Sequence, residues 1–189
     1  MLPSQRDTLI TTPRLALAPA ARSDFEDWST LRLESRDHLE KWEPRWSSDA
    51  GSRSDWNRRL KAWSLGWKQG RMHVFLFRAI ETGELIGSVS LTNVRGWPAD
   101  SANLGYWVGA AFQGKGYMQE AVKAICQWGF EVRGLARIEA GTLPENTRSR
   151  HVLTRVGFQE EGRAVGYLEI GGERRDHMIY GLVTSGLTR

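Results

Sequence analysis

Cysteine is nearly absent: Cys126 is the only one among 189 residues. A lone thiol excludes an internal disulfide and argues against a thiolate-rich metal site, so nothing in the chain asks for an oxidising compartment. Long apolar runs are missing too. No stretch approaches the ~20 residues of a membrane-spanning helix, and the opening MLPSQRDTLI has no apolar leader core. The expectation is a cytoplasmic protein with no membrane partner. His38, His73, His151 and His177 show no metal-ligand spacing, so no metal is expected. Repeats, low-complexity tracts and long linkers are also absent. The length suits one domain, expected to be the whole of 1–189.

Charge is only mildly one-sided. The formal net charge of +4 leans toward anionic partners such as nucleic acid or a phosphorylated cofactor without choosing among them. Tryptophan is plentiful: nine in all, of which Trp28, Trp42, Trp46, Trp56, Trp63 and Trp67 fall in the first 70 positions. So many large rings imply extensive buried or ligand-facing surface.

Along the chain, RLALAPA (14–20) alternates like a strand, and Ser23-Asp24 offers a cap for a helix through about Arg36. HLEKWEPRW is irregular. Trp56, Leu60, Trp63 and Trp67 then recur at helical spacing between Ser54 and Gly70. HVFLFRAI and ELIGSVSLTNV flank the turn Glu81-Thr82-Gly83 and predict a hairpin, followed by a strand in ANLGYWVG. Helical spacing returns after Gly116. ARIEAGTL is a further strand, NTRSRHVLTRVGF a short helix capped by Asn146 and stopped by Gly157, and GYLEI with RRDHMIYGLV a last hairpin around Gly171-Gly172. The sum is seven strands and interleaved helices, a mixed α/β sheet.

The segment VGAAFQGKGYMQEA (108–121) carries the strongest chemical signal. Gly109 to Lys115 matches G-x-x-x-x-G-K, but Gly116 stands where a nucleotide triphosphate loop needs Ser or Thr for magnesium. Gly114 and Gly116 supply G-x-G, but Gln119 replaces the third glycine of a dinucleotide fingerprint. A plain turn without a ligand leaves unexplained the conjunction of strand, glycine loop and helix start. Consecutive N–H groups at a helix N-terminus have no intrahelical partner and sit at the positive end of the dipole. A diphosphate fits there without metal.

GYWVGAAFQGKGYMQEAV resembles the acetyl-CoA motif of the GNAT superfamily of N-acetyltransferases, with Gln113, Gly116 and Met118 at the motif positions. Met118 departs from the usual small residue, at a position whose contact is a main-chain amide. PENTRSRHVLTRVGF resembles the family's second signature. LEKWEP (39–44) and GYLEIGGERRDHMIYGL (166–182) resemble the branch that acetylates ribosomal-protein alanine. The likeness runs from about 12 to 183. It implies the GNAT fold, a mixed and mostly antiparallel seven-stranded sheet with helices on both faces. It also implies acetyl-CoA as cosubstrate, direct transfer to an amine with no acyl-enzyme, and a protein N-terminus as acceptor with ribosome association, in a monomer or homodimer.

On this resemblance the cofactor contacts are Trp107, Val108, Gln113, Gly114, Lys115, Gly116, Tyr117, Met118, Asn146 and Ser149. A main-chain N–H near Trp107 or Val108 is expected to polarise the thioester carbonyl. Ser149 is the candidate proton donor to the departing thiolate, or simply part of a helix cap, and Asn146 has the same double reading. For the base, Glu139 stands first and Glu43 second, and either also reads as a salt-bridged surface carboxylate. Trp42, Glu43 and His177 are expected on the acceptor side, although a lone strand histidine also reads as structural. Tyr106, Tyr167 and Cys126 read as packing residues.

Two other classes remain open. The acceptor half would equally suit a small amine such as an antibiotic, amino acid or polyamine. The basic residues Arg53, Arg58, Arg59, Lys61, Lys68 and Arg71 around the tryptophan stripe would suit an RNA-binding module or a solvated helix face. A non-catalytic acyl-CoA sensor is the third alternative.

Overall fold

The computed structural model describes residue 5 and residues 8–184. Most of MLPSQRDTLI and the last five residues lie outside it, and with them the ends of the expected 1–189 unit. The strands are β1 (Ile10–Thr11), β2 (Leu15–Pro19), β3 (His73–Ala79), β4 (Leu85–Arg95), β5 (Ser101–Val108), β6 (Arg137–Thr142), β7 (Gln159–Ile170) and β8 (Glu173–Val183). The helices are α1 (Phe25–Glu34), α2 (Arg36–Leu39), α3 (Arg53–Lys68), α4 (Tyr117–Glu131) and α5 (Thr147–Val156).

The strands form one sheet in the order β1-β2-β3-β4-β5-β6-β8-β7. Every neighbouring pair is antiparallel except β5 and β6. The sheet has eight strands among the described residues, one more than expected. The extra strand is two residues long and pairs Ile10 with Leu17, too short to leave an alternation in the sequence. The last hairpin is also longer than GYLEI suggests, because β7 starts at Gln159 and runs through two register shifts.

Alternation along β3 sets the layers. Phe75 and Phe77 join the cluster built with Met118, Val122, Ile125 and Cys126 of α4 and Leu153 of α5. Leu76 points the other way, to Trp28, Leu31 and Trp56 of α1 and α3. Helices therefore cover both faces. The tryptophan stripe of α3 packs as expected. Trp56 is fully buried against Trp28 and Trp63, and Trp67 lies on Phe75 and Trp128.

The first helix is shorter than expected. It stops at Glu34, and the chain restarts as α2 after Ser35. Ser35 is buried at the break, and its hydroxyl accepts the N–H of Ala110. That long-range bond fixes the break against the approach to the glycine loop.

Candidate active site

The cleft begins where two strands part. β5 pairs with β6 only from Ser101 to Asn103, opposite Arg137 to Glu139. Beyond Asn103, β5 follows β4 and β6 follows β8. The slot between them opens into a cleft of about 880 Å³. Its walls include Tyr106, Trp107 and Val108 of β5, the glycine loop, Ala140–Thr142, the start of α5, and the His38–Glu43 segment.

The main-chain direction in β5 follows from its neighbours. A β-carbon on Gly87 would sit 2.3 Å from the Trp107 carbonyl oxygen, so that carbonyl faces β4. Gly109 likewise donates its N–H to Ile86 of β4. In an antiparallel pair the N–H and C=O of one residue point the same way and alternate along the strand. Val108 therefore turns its N–H into the slot and Trp107 does not. Of the two expected donors, the geometry selects Val108, and Trp107 contributes its ring to the wall.

The glycine loop is built as a cradle. Gly114 and Gly116 have φ of +74° and +79°, a region costly for residues with a β-carbon. The N–H groups from Gly114 through Gln119 have no acceptor among the described residues. The N–H of Gln113 is used internally, donating to Ala110. Tyr117 lines the cleft, and Met118 is buried and offers only its amide. The Lys115 side chain turns out of the cleft, with Nζ 5.4 Å from the centre of the Phe112 ring. Arg148 of α5, which sequence reasoning passed over, lines the cleft and bonds the side chain of Gln113.

A clasp not foreseen from sequence holds this loop. Arg14 bonds the Lys115 carbonyl oxygen at 3.0 Å and the Glu120 carboxylate through Nε at 2.7 Å, and Thr12 also donates to Glu120. Burial pushes the Glu120 pKa up, but the bonds from Thr12 and Arg14 outweigh it and hold the carboxyl below its usual value. The guanidinium carbon also lies 4.7 Å from the centre of the Tyr117 ring.

At the far side of the slot, Asn146 caps α5 by accepting the Ser149 N–H at 3.1 Å. The Ser149 hydroxyl takes no part in the cap. Its Oγ lies 2.8 Å from the Tyr106 hydroxyl. Burial raises the Tyr106 pKa well above the usual phenol value, so this hydroxyl stays protonated. Tyr106 is thus a wall residue bonded to Ser149, not packing alone. Cys126 is sealed in the core, where burial pushes its thiol pKa up, which removes it as a nucleophile.

The two expected bases fare differently. Glu139 does not line the cleft. It sits at the seam of β5 and β6, where Arg137 and Arg95 both bond it. Burial opposes ionisation there, but the two arginines prevail and hold its pKa below the usual carboxylate range. Glu43 does line the cleft, yet both its oxygens accept from the buried Arg32, and Trp46 Nε1 donates to one of them. Arg32 lies over the rings of Trp46 and Trp107, so Glu43 anchors that wall of the cleft. Trp42 and His177 also line the cleft. No group of three or more metal-ligating side chains occurs among the described residues.

Residues 14–159 match the acetyltransferase (GNAT) domain family. The chain belongs to the GNAT acetyltransferases. This GNAT protein is 34% identical over 179 residues to the [ribosomal protein uS5]-alanine N-acetyltransferase of Escherichia coli, covering 95% of this chain and 92% of the relative. The Mycobacterium smegmatis RimJ structure, in complex with CoA-disulfide, superposes with a TM-score of 0.91 at 33% identity, covering 100% of this chain and 93% of that one. The ribosomal-protein-S5-alanine acetyltransferase of Vibrio fischeri superposes with a TM-score of 0.88 at 28% identity, covering 97% and 100%. The GNAT fold and N-acetyltransferase class implied by the motifs therefore hold. No helix among the described residues is long and apolar enough to cross a membrane.

Proposed function

We propose that this enzyme transfers the acetyl group of acetyl-CoA to the N-terminal amine of a protein, in the first instance a ribosomal protein. The observation that carries this reading is the row of unpaired amides from Gly114 to Gln119, placed in the same cleft as Ser149. Unpaired donors at a helix N-terminus suit a diphosphate. Arg148 adds a cation beside them. The open edges of β5 and β6 offer main-chain groups to an extended, amide-bearing chain such as pantetheine.

Acetyl-CoA supplies an acyl group activated as a thioester and a thiolate leaving group. The protein supplies the rest. The Val108 N–H points into the slot, where a donor aimed at the developing oxyanion lowers the barrier. Ser149 Oγ holds a proton at the slot, and the protonated Tyr106 hydroxyl stands 2.8 Å behind it. With Cys126 buried, the amine attacks directly.

The names of the Escherichia coli and Vibrio fischeri relatives support a ribosomal-protein acceptor. The basic α3 surface gives little support to an RNA-binding role. Arg53 is paired with Glu26, and Arg58 and Arg59 share the buried Asp55, Arg58 also meeting Asp49. Calorimetry with coenzyme A, followed by mass spectrometry of an alanine-ended peptide incubated with acetyl-CoA, tests the proposal. Micromolar binding and a single N-terminal acetyl group are expected. Absence of coenzyme A binding would refute the cofactor reading, and transfer to small amines only would refute the protein acceptor.

A further inference from the structure

An amine must lose a proton before it can attack, and neither candidate carboxylate is placed to take it. Glu139 is outside the cleft between two arginines, and Glu43 is committed to Arg32 and Trp46. We propose that Nε2 of His177 is the base that accepts the proton of the acceptor amine, a role that rests on the acetyl-transfer reading above.

His177 lies on β8, buried to 3% exposure yet lining the cleft. Its Nδ1 is 3.0 Å from the Arg175 carbonyl oxygen. A carbonyl can only accept, so Nδ1 carries the hydrogen and the neutral ring keeps its lone pair on Nε2. Nε2 has no hydrogen-bond partner among the described residues. It is also not sealed away, unlike both ring nitrogens of His73. Cδ2, the ring atom next to Nε2, lies near Gly141, a cleft residue of β6. A β-carbon at Gly141 would lie 3.7 Å from that atom. Tyr167 packs edge-on at 5.5 Å and fixes the plane of the ring.

The charged and titratable surroundings are largely neutralised. On its own strand, Arg175 is paired with Glu145 of the β6–α5 loop, and Asp176 with Arg163 and the Gly166 N–H of β7. Tyr167 comes from β7. Across the cleft stand His38, Lys41, Glu43 and Arg148. His38 is half-buried with no hydrogen bond to orient its ring, and it lies beside Arg148, a cation that works with burial to lower its pKa. His38, His151 and His177 all line the cleft, and among the described residues only His177 has a ring nitrogen held by a hydrogen bond.

In the step assigned to it, an N–H bond of the acceptor ammonium breaks and one forms at Nε2. The acceptor nitrogen keeps the electron pair for attack, and the imidazolium returns its proton to water in the open cleft. Positioned bases of this kind contribute roughly 10²–10⁴-fold.

The test uses the full chain, acetyl-CoA and an alanine-ended peptide. The His177→Gln variant is expected to lose about 10²-fold or more in peptide kcat/KM at pH 7, with coenzyme A affinity by calorimetry unchanged. Its residual rate is expected to climb with pH as the free amine population grows. His38→Gln is expected to lower the rate far less than His177→Gln and to leave the pH dependence in place. Added imidazole is expected to restore part of the rate of a His177→Gly variant, which separates lost chemistry from lost folding. Long-range nitrogen–proton NMR of the enzyme without acetyl-CoA is expected to show the Nδ1–H tautomer of His177 and a shift of Nε2 on adding the peptide. A wild-type rate and pH profile in His177→Gln, a loss that follows His38 instead, or an Nε2–H tautomer would each overturn the proposal. If the wild type acetylates small amines but no peptide, the acceptor assignment falls and the His177 comparison is read on those amines. Absence of any transfer overturns both.

Discussion

Lowering the pH from 7 to 5 should destabilise this protein through one buried imidazole far from its chemistry. His73 is 2% exposed at the start of β3, wedged between Trp67 and Trp128 with ring centroids 4.6 and 5.1 Å away. Neither ring nitrogen has a hydrogen-bond partner among the described residues. Burial, reinforced by the charge of Arg133, lowers its pKa from 6.5 to about 4. Because the folded value is depressed, the unfolded chain binds the proton more readily. The stabilisation is complete above about pH 6.5, declines as pH falls, and is exhausted below about 4. A shift of that size corresponds to roughly 3 kcal/mol in full, of which about 2 kcal/mol is lost between pH 7 and 5. The carboxylates held below their usual values, such as Glu120 and Glu139, lose their contribution at still lower pH. The assay is urea denaturation of wild type and His73→Phe at pH 7, 6 and 5. A constant offset between the two from altered packing is immaterial. The stability difference should move by about 2 kcal/mol across the series in favour of the variant. A difference that stays flat with pH would refute the burial argument.

Ser149→Ala should lower kcat about 10²-fold with coenzyme A affinity unchanged, and Tyr106→Phe added to it should cost nothing further, read by steady-state kinetics and calorimetry. Arg14→Ala removes the bonds to Glu120 and the Lys115 carbonyl and should raise the coenzyme A dissociation constant by about three- to tenfold. Gly116→Ala places a β-carbon at φ +79° and should destabilise the fold by about 1–2 kcal/mol in denaturant titrations. Glu139→Gln should keep turnover within about twofold of wild type, because a residue outside the cleft is not the base, whereas a true base would show a loss of 10²-fold or more.

Local signals in the sequence carried much of the fold. Two-residue alternation around Thr82-Gly83 and Gly171-Gly172 marked both hairpins, and Gly116 and Gly157 marked the ends of α4 and α5 correctly. The glycine loop was legible because φ above zero and free amides are encoded within six residues. What escaped depends on partners distant in the chain. Thr12 and Arg14 reach Glu120 from more than 100 residues away, and no periodicity announces that. Glu139 looked catalytic from its strand position, but Arg95 and Arg137 claim it. Trp107 and Val108 are indistinguishable as donors until the pairing with β4 fixes which amide faces out. The direction of the His177 ring likewise depends on the Arg175 carbonyl, a main-chain group with no residue-type signature.

Glu139 has a consequence of its own once it is relieved of chemistry. The two wings of the sheet touch through a short seam at Ser101–Asn103, and this carboxylate is bolted across it to Arg95 at the tip of one wing and Arg137 on the other. Like the pivot of a pair of tongs, the seam governs how far apart the jaws stand without meeting anything held between them. Loosening that rivet should ease how firmly the cleft closes, read as a change in affinity while turnover holds, at a position no ligand reaches.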